Sequence, residues 1–153
     1  MQQAHPRILI VDDDPIVADS FAEFLRVEGY ETATAGDGNE ALQLLDASED
    51  HSPDASATSD TGHAHLHGPF GVVLTDVNMP RLDGLEFLRR VRSEHESVVP
   101  IVVTGFGKIQ TAVEAIKLGA ADYLTKPVVD DELRIAVGKA MSQHALLAEN
   151  RSL

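Results

Sequence analysis

Four apolar runs in this chain each end in a side chain that can do chemistry. Arg7 to Val11 runs into Asp12, Asp13 and Asp14. Val72 to Leu74 runs into Asp76, Pro100 to Val103 into Thr104 and Gly105, and Asp122 to Leu124 into Thr125, Lys126 and Pro127. If these runs are adjacent strands, acids from two tips, a hydroxyl from a third and an ammonium from a fourth share one edge. Two carboxylates about 5 Å apart repel by about 3 kcal/mol at an effective dielectric of about 20, so such a set calls for a cation or a proton. A hard, all-oxygen donor set favours Mg²⁺. In this reading Asp13 and Asp76 ligate directly, Asn78 gives a backbone carbonyl, and Asp12 acts through water. The chemistry that fits is phosphoryl transfer to a carboxylate, with Asp76 forming an acyl phosphate. Charge on the equatorial oxygens must then be neutralised and positioned. Lys126 offers a compact point charge for one oxygen. The Thr104 hydroxyl and nearby backbone N–H groups serve another, and Gly105 leaves room beside them.

The elements that must hold these groups alternate strand and helix five times. Asp14 suits a helix N-cap and Pro15 the first helical position. Val17, Phe21, Phe24 and Leu25 follow at helical spacing, and Gly29 ends that helix. Residues 31–34 are a weaker, alternating strand near an edge, and residues 39–46 a helix with Ala41, Leu42 and Leu45 inward. Phe70 to Leu74 is a strand. Leu85, Phe87, Leu88 and Val91 mark the third helix, and Ala112, Val113 and Ile116 the fourth, closed by Gly119. Leu133, Val137, Ala140 and Met141 mark a last helix over about 130–147. Such alternation argues for a parallel sheet with helices on both faces. Right-handed crossovers leave few strand orders. The flavodoxin-like order 2-1-3-4-5, that of flavodoxin and CheY, is adopted here, with strands 1 and 3 flanking the switch point.

One segment breaks the rhythm. Residues 46–69 hold four Ser, four Asp and four of the seven His, with no Lys or Arg. They carry too little apolar surface to fold alone, and so long a structureless connection is unusual in a compact domain. Residues 47–69 are read as a polar insertion between the second helix and the third strand. His63, His65 and His67 have the ligand chemistry for a transition metal, but incidental histidines in a polar loop are the simpler reading. Asp122, Asp130 and Asp131 read as surface or capping residues.

Composition narrows the function. The chain's 153 residues suit one domain, and a 43% hydrophobic share supplies a core. With 25 acidic against 12 basic residues, a formal net charge of -13 disfavours nucleic-acid and anionic-membrane binding by this chain. Cysteine is absent, which removes disulfides, thiolate catalysis and Cys-based zinc sites. No apolar run approaches a membrane span, and the N-terminus lacks a signal-peptide layout. A cytoplasmic location is the expectation.

The set Asp12-Asp13, Asp76 followed by Val77, Asn78, Met79 and Pro80, Thr104-Gly105 and Lys126-Pro127 resembles the CheY-like receiver domain of two-component response regulators. The resemblance spans the chain apart from the insertion. It implies a phosphoacceptor at Asp76, a Mg²⁺ site, a sensor histidine kinase as donor and a cis peptide before Pro127. It also implies a switch in which Tyr123 moves inward as Thr104 engages the phosphoryl group, and homodimerisation on activation. The stretches 104–107 and 114–127 and the tail 146–153 are similar to the NtrC subgroup of transcriptional activators, where an ATPase module and a DNA-binding domain follow. The expected division is therefore a receiver over 1–147 and, over 148–153, the start of a linker to such an output, the chain being a segment of a longer transcription regulator. Three alternatives stay open: a stand-alone phosphotransfer receiver, a pseudo-receiver that binds partners without phosphate, and a Mg²⁺-dependent phosphohydrolase of haloacid-dehalogenase type. The last usually has a second acid two residues after the nucleophile, where Asn78 stands. A receiver is not a turnover enzyme; it catalyses only its own phosphorylation and dephosphorylation.

Overall fold

The computed structural model describes residues 6–49, 69–77, 84–105 and 109–151. Five strands, β1 (Arg7–Val11), β2 (Glu31–Ala35), β3 (Phe70–Asp76), β4 (Val99–Thr104) and β5 (Asp122–Thr125), alternate with five helices. These are α1 (Pro15–Val27), α2 (Gly38–Glu49), α3 (Gly84–Glu94), α4 (Ile109–Lys117) and α5 (Asp130–Arg151). The strands form one parallel sheet in the order β2-β1-β3-β4-β5, the flavodoxin-like order expected.

The pleat sorts the core. Ile8 and Ile10 of β1 face α1 and α5, packing with Ala18, Ala22, Leu25, Leu133 and Val137. Leu9 and Val11 face α2 and α3, with Ala41, Leu45, Phe87 and Val91. Alternate residues of one strand thus feed opposite layers. All of β3 and all of β4 are buried, as expected for central strands covered on both faces. β2 and β5 are partly exposed edges. Among the described residues no helix is long and apolar enough to cross a membrane.

Helix faces differ in places from the spacing read in sequence. In α1 the innermost line is Ala18, Ala22 and Leu25, and Phe21 and Phe24 pack at its margin. Small residues let the helix axis approach the sheet, and the rings seal the seam. In α4, Ala112 and Ala115 are buried while Val113 and Ile116 are exposed, because one residue of helix turns the side chain by about 100°. Element ends differ too. α2 continues through 47–49, with buried Ser48 donating to the Leu45 carbonyl (3.0 Å), so those residues are helix rather than insertion. Pro69 accepts from the Arg7 amide (2.8 Å) at the start of β1. Residues 50–68, with His63, His65 and His67, lie outside the described residues. α5 runs to Arg151, past the point where a linker was expected to begin.

Candidate functional site at the carboxyl edge of the sheet

β1 and β3 pair in register as far as Val11 with Thr75, so Asp12 and Asp76 follow at neighbouring strand tips. Beyond Val11, the Asp12 amide donates to the Ala35 carbonyl (3.1 Å), holding the tip against β2. The Asp14 amide donates to Asp12 Oδ1 (2.9 Å), and Asp14 caps α1 by accepting from the Ile16 amide (3.0 Å), with Pro15 in the first turn. The turn thus fixes Asp12 in a buried position, 4% exposed, and leaves Asp13 exposed beside it. On the other side, Asp76 pairs with Val103, and the Val77 amide still donates to the Val103 carbonyl (3.2 Å). Thr104 pairs with Thr125, and the Lys126 amide donates to the Thr104 carbonyl (2.9 Å). The ladder therefore carries the reactive residues themselves and the first residues beyond them.

Side chains converge on this edge. Carboxylate oxygens of Asp12, Asp13 and Asp76 lie within 4.8 Å of one another. Lys126 Nζ donates to Asp76 Oδ2 (3.0 Å) and Asp12 Oδ2 (3.4 Å). Asp76 is 6% exposed. Burial pushes the Asp12 pKa up and the Asp76 charge adds to this, outweighing the opposing effects of the Asp14 amide and Lys126. For Lys126, burial pulls the pKa down, but the hydrogen bond and charge of Asp76, with those of Asp12, overcome it and the net shift is upward.

Thr104 is 1% exposed, and its Oγ1 has no hydrogen-bond partner among the described residues. A buried hydroxyl without a partner costs about 1–3 kcal/mol, so its presence calls for an explanation. Next to it, an added Cβ at Gly105 would meet nothing within 4 Å among the described residues. The Lys126–Pro127 peptide is cis. Tyr123 pairs with Val102, two residues back from Thr104 in the ladder, and it is exposed. Asn78 lies outside the described residues.

Asp12, Asp13, Asp76, Thr104 and Lys126 therefore occupy the strand tips assigned to them. Sequence reasoning missed Gly84. A Cβ there would stand 2.5 Å from the Val77 Cα, so the start of α3 sits directly on the backbone that follows Asp76. No local pattern in the sequence marks that contact.

The three acids could hold a divalent cation, and their oxygen-only donor set fits Mg²⁺.

The family model of the response regulator receiver domain matches residues 8–138. Regulatory protein AtoC of Escherichia coli (strain K12) is 36% identical over 148 residues, covering 96% of this chain and 28% of the relative. The C4-dicarboxylate transport transcriptional regulatory protein DctD of Pseudomonas aeruginosa is 33% identical over 150 residues, covering 98% of this chain and 28% of the relative. The chain thus spans little more than a quarter of the length of these curated relatives. Among solved structures, the receiver domain of NtrX from Brucella abortus superposes with a TM-score of 0.71 at 32% identity, covering 88% of this chain and 98% of that one. Strand order, edge chemistry and these matches agree, and the chain belongs to the response regulator receiver domain family.

Proposed function

We propose that Asp76 accepts a phosphoryl group from a phosphohistidine of a sensor histidine kinase and that the resulting charge switches the domain. The observation that carries this reading is the pairing of Asp76 Oδ2 with Lys126 Nζ at 3.0 Å inside a cluster of three carboxylates. In the transfer, an Asp76 carboxylate oxygen bonds to phosphorus as the phosphorus–nitrogen bond breaks, and the donor ring, protonated on its other nitrogen, keeps the bonding pair and leaves as neutral imidazole. Water later cleaves the acyl phosphate and restores the carboxylate. Lys126 balances charge on one phosphoryl oxygen in both steps. Asp13, Asp76 and the Asn78 carbonyl would hold Mg²⁺ directly and Asp12 through water. When bound, Mg²⁺ supplies the positive charge that offsets repulsion among the acids and between them and the phosphoryl group.

Thr104 is the switch. Its buried hydroxyl gains an acceptor when a phosphoryl oxygen arrives, and Tyr123 follows it inward from its exposed position on β5. The change is read on the face built by α4, β5 and α5, and the activated domain pairs with a second copy of itself. The receiver occupies 1–147. The end of α5 and the residues after it begin a helical connection to an output that controls transcription, with ATPase and DNA-binding modules of the NtrC type. The protein works in the cytoplasm. Its catalysis is confined to its own phosphorylation and dephosphorylation.

The test is labelling with acetyl phosphate and Mg²⁺ followed by intact-mass measurement. Wild type gains one phosphoryl group and Asp76→Asn gains none. Equal labelling of the two proteins overturns the assignment.

A further inference from the structure

The strand that ends in Asp76 carries one polar side chain before it. All of β3 is buried, and Thr75 is 0% exposed. Two residues earlier, Val73 packs with Phe87 and Val91 of α3; two residues later, Val77 packs with Leu88 of the same helix. Alternate residues of a strand share a face, so Thr75 stands between two valines on the face that α3 covers. Its Oγ1 donates to the Asp76 carbonyl (3.1 Å).

The simplest reading is a β-branched strand former filling a valine-shaped space. That accounts for the shape of Thr75 but not for its hydroxyl, which is desolvated at a cost that valine in the same place would not carry. What the hydroxyl holds is the peptide joining Asp76 to Val77. The last pair of the β1–β3 ladder is Val11 with Thr75, so the Asp76 carbonyl lies past its end. On the other side, the Val77 amide of the same peptide donates to the Val103 carbonyl (3.2 Å). This one peptide is thus gripped at its N–H by β4 and at its C=O by Thr75. The chain beyond it is fenced by Gly84, where an added Cβ would come within 2.6 Å of the Val77 carbonyl oxygen.

We propose that Thr75 is a positioning residue for the chemistry of Asp76. Its hydroxyl locks the peptide after Asp76 and so keeps the carboxylate aimed at Lys126 Nζ, 3.0 Å from Oδ2, and at the neighbouring acids. This rests on the reading of Asp76 as the phosphoacceptor. Thr75 acts through the backbone alone. The Asp76 side chain leaves the chain at the Cα next to the locked peptide, so a peptide free to rock about that Cα would swing the carboxylate away from the cation site and from Lys126. Reaction at a positioned group is sensitive to small misplacements of this kind.

The experiment compares wild type, Thr75→Val, Thr75→Ser and Asp76→Asn by urea melts, by calorimetric titration with Mg²⁺, and by the initial rate of acetyl phosphate labelling at saturating Mg²⁺. Valine keeps the packing and drops the hydroxyl; serine keeps the hydroxyl and drops the methyl. Thr75→Val should melt near the wild-type urea midpoint, yet bind Mg²⁺ and label about 3- to 10-fold less well, the fold-change that corresponds to one net hydrogen bond. Thr75→Ser should melt at a lower midpoint, because a buried methyl is lost, yet bind Mg²⁺ and label like wild type. A purely structural role would rank the two variants by their midpoints and so predicts the opposite order. Wild-type labelling and Mg²⁺ binding in Thr75→Val, or a defect in Thr75→Ser as large as that in Thr75→Val, overturns the proposal while the phosphoacceptor reading stands. Equal labelling of wild type and Asp76→Asn overturns that reading, and this proposal with it.

Discussion

Asp12→Asn separates what the carboxyl edge costs from what it does. Asp12 is nearly buried and faces two like charges, Asp13 and Asp76, against one opposite charge, Lys126. At an effective dielectric of about 20, each carboxylate within 4.8 Å repels it by at least about 3.5 kcal/mol, and the ammonium at 3.4 Å attracts it by about 5 kcal/mol. Asp13 is exposed, so solvent screens its share; Lys126 then offsets the remaining repulsion, and desolvation decides the sign. Asparagine keeps the oxygen that accepts from the Asp14 amide, so the turn survives. After allowance for lost Lys126 attraction and solvent relaxation, the expected gain in metal-free buffer is about 1–2 kcal/mol, or a Tm rise of about 3–6 °C for a chain of this size. Mg²⁺ reverses the order. At a hundred times its Kd it stabilises wild type by about 2.7 kcal/mol, and Asp12→Asn loses much of that.

The pH dependence has a definite sign. The folded pKa of Asp12 is raised, so the native state holds this proton more tightly than the unfolded chain does. Stability from this group is greatest at low pH and falls as pH rises from the ordinary carboxylate value through the folded one. The difference in stability between variant and wild type should therefore grow across that window and then level off. Thermal melts with EDTA and with Mg²⁺, across a pH series, measure all of this. A variant that is less stable than wild type in EDTA, or that gains as much from Mg²⁺ as wild type does, refutes the reasoning.

Three further outcomes are expected. Thr104→Val replaces a buried, unpartnered hydroxyl with an isosteric methyl; urea melts should show stability unchanged or raised by about 1 kcal/mol, while the spectral change on phosphorylation at the α4, β5 and α5 face is lost. Gly84→Ala forces a Cβ to 2.5 Å from the Val77 Cα; overpacking against backbone should cost about 1–3 kcal/mol in the same melts, with a slower rate of acetyl phosphate labelling. Lys126 has a raised folded pKa, so its contribution is complete below its ordinary value of 10.5 and is lost as pH rises through the folded one; the stability gap between wild type and Lys126→Met in alkaline melts should shrink over that range.

The edge was legible in the sequence because its residues sit where a short apolar run stops, and a run that stops marks a strand tip without any tertiary knowledge. Asp12, Asp76, Thr104 and Lys126 all fall at such stops. Features set by helix rotation or by distant pairing were not legible. Val113 and Ile116 looked like core because they are apolar at helical spacing; only the position of α4 against β4 shows that Ala112 and Ala115 take that role. His95 and His144 are buried by partners 49 and 47 residues away, and the second of them accepts its place by bonding Nδ1 to the Ser97 carbonyl (2.6 Å). Neither pairing leaves a local mark, and a lone histidine in a polar stretch gives periodicity nothing to read.

The backbone at the carboxyl edge leaves little room for a switch built on strand movement. The Val77 and Lys126 amides extend the ladder one residue past Asp76 and Thr125, and both bond to β4. The tips are thus cross-linked through the Val103 and Thr104 carbonyls, and moving one strand tip means breaking a buried hydrogen bond. What the same edge leaves unsettled is local: an orphaned hydroxyl on Thr104 and an excess of negative charge around Lys126. In the proposed mechanism these are the two quantities that phosphorylation changes, one by adding an acceptor and the other by adding charge. Relieving a buried hydroxyl is worth about 1–3 kcal/mol, which is the size of a typical coupling energy and shifts a two-state equilibrium about 5- to 150-fold. A rigid ladder with an unsatisfied side chain at its end is therefore sufficient for a switch of that size, provided that what moves is Thr104, Tyr123 and the connections beyond the strand tips.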